Sequence, residues 1–160
     1  MKKTILTILL CGVMVLGMTG CGKQKNEFDI GNKSDIKISQ NDVIMTIKEG
    51  TLTNKSATLI LTNNSDKNFQ YGTPYEIEIK KDGEWHKINV ELSFTMPAFQ
   101  LSARENNEIE INWENGYGKL EKGTYRIIKE IDYEYEEGKY KSFNICLLYT
   151  SPSPRDPKTS

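Results

Sequence analysis

The stretch that decides the fold is residues 75–83, which read Tyr-Glu-Ile-Glu-Ile-Lys-Lys-Asp-Gly. Apolar side chains at positions 75, 77 and 79 alternate with charged ones at positions 76, 78 and 80. Because side chains on a strand point alternately to opposite faces, this pattern predicts a strand with one buried and one solvated face. Asp82-Gly83 is a two-residue hairpin signal, so we expect a return strand from about Glu84 to Val90.

The same two-residue period extends from about Asp42 to Ile145, and no helical periodicity interrupts it. Turn signals separate the runs, and Phe94–Ser102, which contains Pro97, is interpreted as a connection or an irregular edge. About seven short strands result, which predicts an all-β antiparallel sandwich or small barrel. In the run 125–133, Lys129 is the one charged residue on the apolar face. The runs lie at residues 43–48, 57–62, 75–80, 84–90, 108–113, 125–133 and 140–145.

The N-terminus has the pattern of an exported, lipid-anchored protein. Two lysines precede an apolar run, Ile5–Leu16, that is long enough for a signal peptide but short for a membrane span. Gly20-Cys21 then ends the run as a lipobox would. We therefore expect a helical signal peptide over residues 1–20, acylation (palmitate) of Cys21 and a flexible tether over residues 21–41. An uncleaved anchor helix and ordinary secretion are the alternatives.

The composition changes abruptly after Ile145. Residues 146–160 are rich in proline and serine, which is typical of a disordered tail. The run from Cys146 to Asp156 also resembles translated sequencing-adapter read-through. We therefore interpret residues 146–160 as a non-native tail and expect the sandwich to end at residue 145.

Composition excludes some function classes. The formal net charge is -1, and without the leader and tail the domain is mildly acidic, so it lacks the basic footprint of a nucleic-acid-binding protein. The three cysteines leave no pair for a disulfide inside the domain. We expect no cofactor and a monomer.

The candidate chemical groups all have simpler interpretations. His86 is the only histidine, and a metal site or catalytic triad needs more than one imidazole. The acidic tip at residues 132–137 lacks a calcium-loop pattern. Carboxylate pairs at positions 76 and 78, and at 108 and 110, suit glycoside hydrolysis, but they lie on alternating strands whose outer face should be solvated. We expect no catalytic residues and no metal ligands.

Exposed aromatic side chains are the remaining candidates for a binding surface. Tyr71, Phe94 and Phe99 lie in the least regular connections. We therefore expect these three to form a surface cluster, while most of the other aromatic residues pack in the core.

Several segments together resemble the bacterial immunoglobulin-like domain of exported lipoproteins in Gram-positive bacteria. The resemblance covers roughly Asp42 to Ile145 and implies an immunoglobulin-like sandwich, a surface location and no enzymatic activity. It implies no defined ligand, so no functional residue carries over. The segments are residues 59–65, 71–72, 75–78, 82–85, 111–113, 117–120 and 122–127.

The sequence therefore predicts a non-enzymatic module on the extracytoplasmic face of the cell membrane, held there by lipid on Cys21. It would present a binding surface to a protein or cell-wall partner. One alternative is an anchor or spacer domain of a truncated larger surface protein or enzyme. Another is a hydrolase that uses a carboxylate pair, which requires a buried, convergent pair in a cleft.

Overall fold

A computed structural model describes residues 29–39 and 42–151. Within them the chain forms ten strands and one short helix, α1 (Glu114–Tyr117), so the expected seven strands are too few. The expected signal peptide over residues 1–20, the expected lipid site at Cys21 and residues 152–160 lie outside the described residues. The strands are β1 (Ile30–Lys33), β2 (Val43–Ile47), β3 (Ser56–Asn63), β4 (Phe69–Tyr71), β5 (Glu76–Lys81), β6 (Glu84–Ile88), β7 (Phe99–Leu101), β8 (Asn106–Asn112), β9 (Gly123–Glu136) and β10 (Lys139–Ser151).

Two antiparallel sheets form the sandwich. The larger sheet has the order β1-β6-β5-β9-β4-β7, with β10 paired to the other edge of β9. The smaller sheet has the order β2-β3-β8. The hairpin between β5 and β6 turns at Asp82 (φ 51°) and Gly83 (φ 87°), the two positive φ values that this type of tight turn requires. The predicted all-β antiparallel fold is confirmed.

The core lies between the facing sides of the two sheets. In β3, Ala57, Leu59 and Leu61 are buried, in the alternation that the sequence predicted. The inner face of β9 contributes Tyr125, Ile127 and Ile131, which are likewise buried. Trp113 follows β8, and its indole N–H donates to the Asn54 carbonyl at 3.0 Å. A buried indole with a hydrogen-bond partner stabilises the core without leaving a polar group unpaired.

The last strand continues beyond the expected end of the domain. Strand β10 pairs with β9 without interruption from Tyr140 to Ser151, so residues 146–151 belong to the sandwich. Tyr149 is buried and stacks on Tyr125, with ring centroids 5.5 Å apart. The expected boundary at residue 145 was wrong, because residues 145, 147 and 149 keep the inward alternation that the change in composition concealed.

The expected tether is also partly folded. Residues 30–33 form β1 against β6, and Ile38 bridges to Asn144 of β10. Between these points the Arg126 guanidinium donates a hydrogen bond to the Ser34 hydroxyl at 3.1 Å. The apolar residues of this segment are too widely spaced to give a strand signal, so the flexible interpretation of residues 21–41 fails over residues 29–39.

No helix within the described ranges is both long enough and apolar enough to cross a membrane.

Candidate functional site

A groove runs along the free edge of β8. Its cavity of about 380 Å³ is lined by five consecutive residues of this part of the chain, Glu108–Asn112. Because neighbouring residues on a strand point to opposite faces, a cavity that touches all five lies beside the hydrogen-bonding edge. The other edge of β8 pairs with β3. The groove therefore occupies the place of a fourth strand in the smaller sheet.

The backbone of β8 presents unpaired groups to this groove. Just beyond the strand, the Trp113 N–H donates to the Lys55 carbonyl at 2.9 Å, which places odd-numbered residues in hydrogen-bonded pairs with β3. The N–H and C=O groups of Glu108 and Glu110 therefore point the other way. Among the described residues, no hydrogen bond to these four groups is formed.

Aromatic rings from the larger sheet and its connections form the opposite wall. Tyr71 and Phe99 stack with centroids 5.5 Å apart and an interplanar angle of 24°. Phe94 packs edge-on against Tyr75, with a centroid distance of 5.3 Å. All four rings line the groove. The structure thus brings together beside one cavity the three residues that were expected to cluster, Tyr71, Phe94 and Phe99.

Exposure separates these three residues. Phe99 is 44% exposed and Phe94 is half-buried, whereas Tyr71 is only 5% exposed. Tyr71 was expected on the surface, but its place on β4, beside the central strand β9, buries the ring and leaves one side facing the groove. Phe99 lies on the edge strand β7, so its ring remains accessible.

Hydrogen bonds from side chains close both ends of the groove. The Asn107 amide donates to the Tyr71 hydroxyl at 3.0 Å and to the Gln100 carbonyl at 2.8 Å, which ties β8 to β4 and β7. At the other end the Tyr75 hydroxyl donates to the Asn112 carbonyl at 3.0 Å. The open part of the edge therefore comprises the backbone of Glu108, Ile109 and Glu110 with its flanks.

A buried lysine supports the aromatic wall from behind. The Lys129 ammonium donates to the carbonyl oxygens of Gly72 at 2.8 Å and Pro74 at 2.9 Å, and lies 5.6 Å from the centroid of the Tyr71 ring. Lys129 is 1% exposed, and burial lowers the pKa of its amine to about 8. Lys129 therefore fixes the segment that carries Tyr71 and Tyr75 into the groove.

Carboxylates form the charged rim of the groove. Glu108 and Glu110 are both exposed on the outer face of the smaller sheet. Lys48 pairs with Glu108 at 2.8 Å. No lysine or arginine of the described segments lies within ion-pair distance of Glu110. The rim therefore has acidic character beside an apolar wall.

The other candidate residues do not converge on a site. The ring of His86 lies 3.3 Å from the Gly31 carbonyl, and the acidic residues 134, 136 and 137 are exposed at the β9–β10 turn. Among residues 29–39 and 42–151, no group of histidine, cysteine, aspartate and glutamate side chains is arranged to hold a metal ion.

One carboxylate pair differs from its expected solvated position. Glu76 is exposed, but Glu78 is fully buried on the outer face of the larger sheet. The guanidinium of Arg126 donates to the Glu78 carboxylate at 2.6 Å and lies 4.8 Å from the centroid of the Trp85 ring. Sequence alternation assigned this face to solvent, and could not show that Arg126, itself in contact with Ser34 and the Trp85 ring, pairs with the Glu78 carboxylate there.

Comparison with known proteins identifies the fold family. The family model described as Bacterial Ig-like domain matches residues 39–142. Among solved structures, the chain is similar to the periplasmic chaperone SfaE, with 20% identity and a TM-score of 0.34 over 73% of this chain. The chain spans 57% of the length of that chaperone. No curated protein matches the chain. The chain belongs to the bacterial immunoglobulin-like domain family.

Proposed function

We propose that this chain is a non-enzymatic binding module that uses the groove beside β8 to hold a protein or cell-wall partner. The observation that carries the proposal is the coincidence of unpaired backbone groups on β8 with the aromatic wall. An accessible apolar surface lined by polar groups with fixed directions is the usual composition of a recognition site.

The carboxylates support a binding role better than hydrolysis. Glu108 and Glu110 are solvated on the outer face of a sheet, and Glu78 is held by Arg126. A general acid needs a raised pKa, which normally requires a carboxyl group that is buried without a cation.

We also propose that lipid on Cys21 holds the module at the extracytoplasmic face of the cell membrane. The support is the apolar run that ends at Gly20-Cys21, outside the described residues. Residues 22–28 would then be the only chain between the lipid and the packed segment that begins at residue 29. A fully extended link of this length keeps the sandwich within about 2.5 nm of the bilayer.

Metabolic labelling tests the anchor. In a Gram-positive host, the full-length chain should incorporate labelled palmitate and sediment with membranes. The Cys21→Ala variant should incorporate none. Equal labelling of both proteins contradicts the proposed anchor.

Site-specific photo-crosslinking in the same cells tests the groove. A photoreactive phenylalanine analogue at position 99 should give discrete crosslinked species. The matched control is the same analogue at position 140, which is 50% exposed and lies on β10 outside the groove. Crosslinking at position 99 but not at position 140 supports the binding role. The same pattern from both positions, or none from either, contradicts it.

A further inference from the structure

We propose that the occupant of the groove is an extended peptide segment of a partner protein, in which lysine or arginine residues alternate with apolar ones, bound as an added strand on β8. This inference rests on the proposed function and names the class of partner.

An occupant that pairs with the backbone of this edge has to be extended. The N–H and C=O groups of Glu108 and Glu110 lie in one row and point into the groove, with no partner among the described residues. Only another backbone in β conformation supplies donors and acceptors at the same spacing. A folded ligand or a glycan would leave part of this row unpaired.

The two faces of the added strand meet different surroundings. Side chains that point inward would contact Ile109, Tyr71 and Phe99, which are apolar. Side chains that point outward would lie beside Glu110, which has no cation within ion-pair distance among the described residues, and beside Glu108, which Lys48 pairs with. Opposite charges on neighbouring strands stabilise a pair and like charges destabilise it, so Glu110 carries the charge preference. The occupant therefore alternates apolar and basic residues.

The dimensions limit the occupant to a short segment. The edge between the hydrogen bonds of Asn107 and Asn112 comprises residues 108–111, about 14 Å of strand at ~3.4 Å per residue. A volume of about 380 Å³ accommodates the inward side chains of such a segment. Hence about four residues of the occupant pair with the edge, and a hexapeptide extends beyond it at both ends.

Peptide binding to the chain purified from the Gram-positive host in detergent micelles tests this inference. The probe is a fluorescein-labelled, end-capped hexapeptide with the repeat Lys-Val, and a Glu-Val peptide of the same length is its control. We expect saturable binding of the Lys-Val peptide, measured by fluorescence anisotropy, with at least 10-fold weaker binding of the Glu-Val peptide.

Backbone methylation identifies the mode of binding. Alternate amides of an added strand face β8, and the others face solvent. We therefore compare a peptide N-methylated at all its lysine amides with one N-methylated at all its valine amides. One of the two should not bind, and the other should bind with an affinity within 3-fold of that of the unmethylated peptide. Loss in both cases, or in neither, overturns the added-strand geometry.

Charge variants test the role of the rim. Glu110→Lys should weaken binding of the Lys-Val peptide at least 5-fold. Glu137→Lys changes the net charge equally at an exposed position outside the groove and should leave binding unchanged. Equal affinities of the two variants overturn the proposed charge preference. Unchanged urea midpoints establish that both variants are folded.

The outcomes separate this inference from the proposed function. Failure of the Lys-Val peptide to bind, while position 99 still crosslinks a partner in cells, overturns the basic, extended occupant alone. Failure of both experiments removes the binding role of the groove as well.

Discussion

Lys129 is an ionisable residue that the fold buries almost completely, at 1% exposure. Its ammonium is buried with two carbonyl oxygens and an aromatic ring, and none of the described carboxylates lies within ion-pair distance. Burial disfavours the charged form and lowers the pKa to about 8, from an ordinary value of 10.5. The contribution of Lys129 to the stability of the fold is therefore least favourable below about pH 8, where its amine is charged in both the folded and the unfolded state.

The sign of the pH dependence follows from this shift. Between pH 8 and pH 10 the unfolded chain binds more protons at Lys129 than the folded chain, so the free energy of unfolding rises with pH. From pH 8 to pH 10 we expect the free energy of unfolding of the wild type to rise by about 2 kcal/mol more than that of Lys129→Met. Urea unfolding of both proteins at each pH measures the difference. Parallel curves for the two proteins contradict the assigned burial.

Tyrosines set the upper limit of that pH window. Burial raises the pKa values of Tyr117 and Tyr125 to about 12. The unfolded chain loses these protons first, so stability falls above about pH 10 in wild type and variant alike. Subtracting the variant's free energy of unfolding from that of the wild type at each pH removes this common effect.

The buried ion pair gives a second prediction at the residue scale. Arg126→Leu leaves the Glu78 carboxylate buried without its cation, which should lower the free energy of unfolding by about 3–5 kcal/mol. The double variant Glu78→Leu/Arg126→Leu removes both charges and should regain most of that loss. Urea unfolding at pH 7 measures all three proteins. A double variant no more stable than the single one contradicts this interpretation.

Among the elements, β10 makes the most direct test of where the domain ends. Deleting residues 152–160 leaves the whole of β10 in place, and we expect an unchanged unfolding midpoint. Deleting residues 146–160 also removes buried Tyr149, whose ring contacts Tyr125 and Trp113. The second deletion should cost at least about 3 kcal/mol, since loss of a large buried aromatic side chain alone has that effect. Thermal unfolding followed by circular dichroism distinguishes the two proteins.

Strands with strict alternation were predictable from the sequence, whereas β1 and the end of β10 were not. The runs that became β3, β5 and β8 each had one apolar and one polar face, and the structure confirms them as strands. By contrast β1 has few apolar residues, and its contacts depend on segments that are distant in sequence. The continuation of β10 was missed because composition was given more weight than alternation.

The candidate site was predictable only in part, for a related reason. Tyr71, Phe94 and Phe99 were grouped because they lie in irregular connections, and the groove brings them together. The other half of the groove is the free backbone edge of β8. No residue type in a sequence identifies which strand keeps one edge without a neighbouring strand. That property depends on the strand order of the whole sandwich.

At the scale of the whole molecule, the three-stranded sheet ends at β8 and leaves one edge of that strand unpaired. Seven strands form the larger sheet and three the smaller, so the rings of Tyr71 and Phe99 on β4 and β7 face an empty strand position rather than a backbone. Exposed edges are commonly protected by charges, and Glu108 and Glu110 protect this one against uncharged or acidic strands. The same carboxylates favour a basic strand.

Hydrogen–deuterium exchange of individual amides, followed by NMR, tests whether the β8 edge is a binding site. We expect the N–H groups of Glu108 and Glu110 to exchange rapidly in the free protein and to become protected when the Lys-Val peptide is added. The N–H groups of residues 109 and 111, already paired with β3, should be slow in both states. Unchanged exchange at Glu108 and Glu110 under saturating peptide would contradict the account.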